Sequence, residues 1–412
     1  MNEILTIESA AKADQPASSV RSRRIDDIEW LRAVAILGVL SDHAQGALFT
    51  WGTGWYAWLI SNLNFGAGVD IFFAISGFVI ARSLIPLLLA SPLSGISFLS
   101  KIGSFWTARA FRLLPSAWLW LGLMLLASWG FNATGAFSSF HANAMATLAG
   151  LLQVANFRFA DSFASYPYGA SFAYWSLSLE EQFYLALPLL LLLLRKRIVV
   201  LLFFVIIFQC LIPRNLILMA TRTDALAWGV LLAIFSESSL FTRAEPRTLA
   251  DRRWLQCLIS LILIFSIGKI FSMESIAIGH RVSLVAILAA LLVWLAAYDR
   301  NYLSGANSCL KSFMLWTGQR SYAIYLIHIP VYFSVREAWF RLNGSEAQGG
   351  LIQFIVFFLA ATILIAALAE ANFRLVEMPL RKVGKRLAAR IVASADITLS
   401  TRNTAGESRQ HV

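Results

Sequence analysis

Long apolar runs separated by short polar clusters set the pattern of this chain. They fall near 28–49, 64–85, 105–130, 174–194, 197–213, 223–236, 254–271, 281–298, 313–340 and 350–376. A helix needs roughly 20 residues to cross a hydrocarbon core, so the pattern predicts an all-α polytopic bundle of about ten transmembrane helices. A further run, NAMATLAGLLQVANF over 143–157, is short for a span.

Charge sets the direction of the runs. RSRR over 21–24 places the N-terminus in the cytoplasm, because Lys and Arg concentrate on the cytoplasmic side. Residues 50–63 hold no Lys or Arg and read as outside, whereas Arg82, Lys101 and Arg109 mark the next connection as inside. If 143–157 crossed, the basic cluster at 195–197 and every later one would face outward. If it does not cross, Arg195–Arg197, Arg243–Arg253, Arg300 with Lys311, and Arg381–Arg386 all fall inside. Both termini are then cytoplasmic, and about 131–173 forms one external loop with 143–157 half-buried on that side. The organisation expected is a disordered cytoplasmic tail over 1–27, a transmembrane domain over 28–380, and a basic then disordered cytoplasmic tail over 381–412. The polar start and the long first run argue against a cleavable signal peptide.

Composition agrees with the pattern. The 412 residues are 58% hydrophobic and 14% charged, where a soluble domain carries about 25% charged residues. The net charge of +11 is spread over loop clusters, so it reads as a topology signal and not as a nucleic-acid footprint. Cys210, Cys257 and Cys309 lack motif spacing, which argues against a disulfide framework or a metal site. Partners are membrane lipids rather than nucleic acid.

Ionisable residues inside apolar runs mark candidate chemistry, since burying them costs a few kcal/mol, roughly 2.5–3.5 on insertion scales. The first run holds Arg32 and His43, about 16 Å apart along a helix. Arg32 lies near the cytoplasmic face, and His43, a candidate general base, lies toward the outside. Arg109 and Arg112 share a helix face and, with Arg32, could grip phosphates in bidentate fashion. Snorkelling to lipid phosphate and simple positive-inside anchoring are the plainer readings of these arginines. Glu180 and Glu181 open the 174–194 run at about the expected depth of His43, where one carboxylate could orient the imidazole. Asp70 stands at an external helix start, with Ser76 and Gly77 permitting close packing. Arg222 and Asp224 suit a structural ion pair or a substrate contact. His328, with Tyr322 and Tyr325, reads as a hydrogen-bonded core histidine, and Glu377 as the partner of a nearby arginine.

Taken together and in order, these motifs resemble acyltransferase family 3, the membrane-bound sugar O-acyltransferases. The matching residues are Arg32 and His43; Gly68, Asp70, Phe72, Phe73, Ser76, Gly77 and Phe78; Arg109, Arg112 and Pro115; Trp175, Ser176, Leu177, Glu180, Phe183 and Tyr184; Arg222, Asp224 and Ala225; Ser321, Tyr322, Tyr325, Leu326 and His328; and Glu377 with Pro379. The set runs over about 28–380. Some members carry an extracellular esterase-like domain after the bundle.

The resemblance implies transfer of an acyl group, usually acetyl, from cytoplasmic acetyl-CoA to a carbohydrate hydroxyl at or beyond the outer face of a bacterial inner membrane. It selects Glu180 over Glu181 as the carboxylate. Arg32, Arg109 and Arg112 would hold the donor, while His43 acts as general base or as acyl carrier with Glu180 orienting it. Asp70, Ser76, Trp175, Tyr184, Arg222, Asp224, Tyr325 and His328 would contact the acceptor or support the site. Acetyl-CoA would be a substrate, with no permanently bound cofactor and no metal. The acceptor could be a polysaccharide, a lipopolysaccharide or a lipo-oligosaccharide. A transporter or flippase of a glycan precursor would line its pathway with the same residues, and covalent transfer of label distinguishes the two.

Overall fold

In the computed structural model, residues 24–89, 96–249, 251–304 and 308–410 are described, and every named element is helical. Most of the N-terminal tail, including positions 21–23 of the basic cluster, lies outside the described residues. The helices are α1 (Asp26–Ala47), α2 (Trp55–Asn62), α3 (Gly68–Leu89), α4 (Ile96–Gly130), α5 (Phe140–Leu151), α6 (Ala155–Ser162) and α7 (Tyr174–Leu194). They continue with α8 (Ile198–Leu211), α9 (Leu216–Ala220), α10 (Asp224–Ser236), α11 (Ser239–Arg243), α12 (Arg253–Ser272) and α13 (Ile278–Ala297). The last are α14 (Cys309–Gln319), α15 (Ser321–Asn343), α16 (Leu351–Asn372) and α17 (Met378–Gln410).

Each predicted run contains helix, with the 313–340 run divided between α14 and α15 at Arg320. Six described segments are long and apolar enough to cross a membrane: Phe65–Ile85, Phe98–Gly130, Leu216–Ser236, Arg253–Ser272, Ile278–Ala297 and Leu351–Ala395. Leu261, Phe265, Ile355, Phe358 and Ile363 on two of them are exposed. Side chains of this kind, facing outward together, suit lipid and not water. The protein is a multi-pass membrane protein.

Segment 131–173 folds into α5 and α6, separated by a turn in which Gln153 has φ of 57°. A twelve-residue α5 is about 18 Å long, too short to cross. Glu337 of α15 staples the start of this segment. Its fully buried carboxylate accepts from the Ala133 and Thr134 amides at 2.8 and 2.9 Å and from Arg341 Nε at 2.7 Å.

Two features differ from the sequence expectation. The 381–412 region, expected to be basic and then disordered, continues as helix through Gln410. Its first half has a partner the polar pattern does not show: α17 packs on α4, where a Cβ on Gly384 would come within 2.4 Å of Phe111 Cβ. A π-helical turn over Phe373–Glu377 joins it to α16. Helix α4 also starts at Ile96, well before the apolar run at 105, so Arg109 and Arg112 sit within the helix and not at its mouth.

The tightest crossing in the core joins α3 to α10. A Cβ on Gly77 would lie 2.2 Å from the Leu226 carbonyl oxygen, and one on Gly229 would lie 2.2 Å from that of Ala74. Backbone meets backbone there, as small residues allow in membrane bundles. Gly77→Val should force the helices apart and cost about 1–3 kcal/mol or more, as overpacking does. A lowered melting temperature in detergent checks this, and an unchanged one would contradict the crossing.

Candidate active site

Helix α1 carries both ends of the site. Asp26, Asp27 and Glu29 occupy its first turn, where acidic groups complement the helix dipole. The Asp27 carboxylate also accepts from the Tyr302 and Ser304 amides at 2.9 and 2.8 Å, which fixes the start of the helix. Regular geometry ends at Gln45 and Gly46, the latter with φ of 94°, so His43 sits in the last regular turn. Arg32 lies eleven positions earlier, about 16 Å away along the axis.

Between α1, α3, α4, α7 and α15 lies a cavity of about 80 Å³. Arg32, Arg109 and Arg112 line it together with Ser76, Glu180, Tyr184, Ser176 and Tyr325. Arg32 is paired with Glu29 at 2.9 Å. Arg109 and Arg112 have no carboxylate partner among the described residues. The Arg109 guanidinium lies 5.7 Å from the centre of the Phe105 ring and 5.4 Å from that of Tyr184. Cation–π contact of this kind offsets part of the desolvation cost of a cation and leaves its N–H donors available. The structure thus brings Arg32, Arg109 and Arg112 to one cavity wall.

Glu180 also lines this cavity. Ser76 Oγ donates to its Oε1 at 2.8 Å, and Tyr184 OH donates to its Oε2 at 2.9 Å while lying 3.2 Å from Ser76 Oγ. Glu180 was expected beside His43, and that expectation is corrected. The reason lies at the start of α7. Tyr174 donates to the Ala117 carbonyl at 2.9 Å, only five residues beyond Arg112 on α4. The helix thus begins inside the bundle, and Glu180, a turn and a half further on, reaches the arginine level.

His43 meets His328 instead. Nδ1 of His43 lies 2.8 Å from Nε2 of His328, and the two ring planes lie within 6° of each other with centroids 5.1 Å apart, so the rings meet edge to edge. His328 is fully buried, and its Nδ1 lies 2.7 Å from the Tyr325 carbonyl oxygen. His43 is partly exposed, with the edge of Phe172 packed against it. Tyr325 connects the two regions: its hydroxyl lies 2.7 Å from Ser176 Oγ at the cavity wall, and its ring centroid is 5.5 Å from that of His328. The core-histidine reading of His328 holds for its burial but missed its partner, which lies 285 residues away in the chain.

Asp70, Arg222 and Asp224 form structural ion pairs. Arg222 forms a bidentate pair with Asp70 at 2.9 and 3.0 Å, and the Trp175 ring covers its guanidinium at 4.8 Å. Asp224 pairs with Arg214 at 2.7 Å, a residue the sequence reading passed over because it lies in a short connection outside any motif. Arg222 and Asp224 therefore do not pair with each other: Arg222 reaches Asp70 on α3, and Asp224 reaches Arg214 in the connection between α8 and α9. Glu377 accepts from Asn372 Nδ2 at 3.0 Å instead of forming the expected arginine pair.

This arrangement places guanidinium groups without carboxylate partners in a cavity and a partly exposed imidazole beyond it. A family model described as an acyltransferase domain matches residues 25–370. The chain belongs to acyltransferase family 3. Among curated members of this acyltransferase family, it is 28% identical over 386 residues to the peptidoglycan O-acetyltransferase OatA of Listeria monocytogenes, covering 87% of this chain and 56% of that protein. It is 24% identical over 394 residues to YrhL of Bacillus subtilis, provisionally named a peptidoglycan O-acetyltransferase, covering 88% of this chain and 56% of that one. A Staphylococcus aureus protein provisionally named an O-acetyltransferase is 26% identical over 388 residues, covering 88% of this chain and 58% of its own. The chain thus spans just over half the length of these relatives. No solved structure matches.

In this member of the family, the Asp70–Arg222 pair carries a direct prediction. Asp70 is 0% exposed, and removing one partner of a buried pair costs about 3–5 kcal/mol. Asp70→Asn should sharply reduce the melting temperature in detergent, and Asp70→Asn with Arg222→Gln should recover part of the loss. A single variant that melts like wild type would contradict a structural role.

Proposed function

We propose that this protein is a ten-span O-acyltransferase of a bacterial inner membrane, with both termini in the cytoplasm. It moves an acetyl group from cytoplasmic acetyl-CoA to a hydroxyl of cell-envelope or exported carbohydrate. The observation that carries this reading is the cavity in which Arg109 and Arg112 lack carboxylate partners among the described residues while His43 lies beyond Tyr325 and His328. Guanidinium groups bind phosphates through paired N–H donors, and acetyl-CoA presents several phosphates at one end of a long flexible arm. That arm suits the roughly 16 Å that separates Arg32 from His43 along α1. The relatives named for peptidoglycan support a carbohydrate acceptor.

In the reaction so proposed, Arg32, Arg109 and Arg112 hold the donor phosphates and the thioester extends past Ser176 and Tyr325. His43 Nε2 takes the proton of the acceptor hydroxyl as its oxygen attacks the thioester carbonyl. The C–S bond breaks, and the thiolate recovers the proton from His43. Glu180, tied to Ser76 and Tyr184, shapes the cavity wall beside the arginines and does not act through the imidazole.

Arg109→Gln and Arg112→Gln should each lose a charge-assisted contact worth about 1.5–3 kcal/mol, raising KM for acetyl-CoA roughly 10- to 100-fold. His43→Ala should lose about 10²–10⁴ in transfer rate, the usual range for a general base, with melting unchanged. Both are read from labelled acetyl appearing as alkali-labile ester on envelope carbohydrate. Unchanged donor affinity in the double arginine variant, or near-normal acetylation with His43→Ala, would remove the reading.

A further inference from the structure

His328 has no part in the reaction written above, yet it is the group that His43 touches. The hydrogen-bond pattern fixes where the protons reside. A backbone carbonyl can only accept, so His328 Nδ1, 2.7 Å from the Tyr325 oxygen, carries a hydrogen. In a neutral ring Nε2 is then a bare acceptor. It faces His43 Nδ1 at 2.8 Å, so His43 Nδ1 donates. The lone pair of His43 is left on Nε2, which has no hydrogen-bond partner among the described residues. A doubly protonated His328 would be a fully buried cation whose hydrogen-bond partners are a carbonyl and another imidazole, with no carboxylate paired to it among the described residues.

We propose that His328 is a positioning residue for acyl transfer, relaying the Tyr325 carbonyl to His43 and holding His43 with Nδ1 protonated and Nε2 free. This rests on the reading of His43 as the group that works on the hydroxyl. The packing holds the relay rigid: Tyr325 and Tyr332 flank His328 with ring centroids at 5.5 and 5.8 Å. Tyr332 also donates to the Leu40 carbonyl at 3.0 Å, three residues before His43, which fixes α15 against α1 at this level. During transfer the hydroxyl proton goes to His43 Nε2, the C–O bond forms, the C–S bond breaks, and the departing thiolate takes the proton back. His328 keeps its own proton throughout. It accepts from His43 Nδ1–H, and that hydrogen bond strengthens as the His43 ring becomes cationic. The part is the one a carboxylate plays behind a catalytic histidine, filled here by a second imidazole.

The test compares the full-length wild type, His328→Phe, His328→Gln and His43→Ala. Each is expressed at matched level in a deletion strain, and ester-linked acetate on envelope carbohydrate is measured. Acetyl-CoA binding to the purified proteins is measured by calorimetry. His328→Phe fills the space without an acceptor and should lose roughly 10²-fold or more in transfer, with acetyl-CoA affinity unchanged. His328→Gln keeps an acceptor oxygen and should retain at least about a tenth of wild-type transfer, within the range a single neutral hydrogen bond allows. Nitrogen NMR of histidine-labelled wild type should show a protonated Nδ1 and an unprotonated Nε2 at His43, which tests the relay even if His328→Phe fails to fold. Wild-type transfer by His328→Phe beside an inactive His43→Ala would overturn this inference alone, as would the opposite tautomer or a Gln variant no better than Phe. An active His43→Ala would overturn the reading on which it rests.

Discussion

A charge inside an apolar bundle has to be met by an opposite charge, an aromatic face or a ligand, because the medium offers it no water. The first two answers occur in this protein, and they divide its arginines into two groups. Arg222 and Arg214 are met by Asp70 and Asp224 and serve the fold. Arg109 rests on Phe105 and Tyr184, and Arg112 forms no ion pair with a carboxylate among the described residues. These two line the cavity, where an anionic substrate can complete the balance.

The paired charges hold the cavity in shape. Asp70 on α3 reaches Arg222 just ahead of α10, and a few turns along, Gly77 and Gly229 let the same two helices meet backbone to backbone. That contact presents Phe72, Ser76 and Val79 of α3 to the cavity. Across it, Tyr325 and His328 stand on one face of α15, three residues apart, so the cavity wall and the histidine pair are built from adjacent turns of a single helix. The geometry of the site is therefore a consequence of helix packing, and no loop has to be ordered to create it.

Periodicity and charge made the helices legible, because apolar runs and basic clusters are local properties of the chain. Arg32 and His43 were legible for the same reason: a charged group in an apolar run stands out without any partner being known. Depth was not legible. The charge pattern alone puts the start of α7 at the membrane face and Glu180 level with His43, whereas Tyr174 anchors that start beside Ala117 within the bundle. Partners across the bundle were also hidden. Nothing near His328 in sequence points to His43, and Arg222 and Asp224 invite each other by proximity while the fold sends them to Asp70 and Arg214. The start of the 378–410 helix gains support that its own composition does not show, from α4, where Gly384 lies against Phe111.

The central claim is that the arginine cavity and His43 serve opposite faces of one membrane. The most direct measurement reconstitutes the full chain in proteoliposomes of known orientation and supplies labelled acetyl-CoA to one face at a time, with envelope glycan from the deletion strain on the other. Label should reach the glycan only when the donor is on the face nearer Arg112 and the glycan on the face nearer His43. Transfer that requires donor and glycan on the same face would contradict the account.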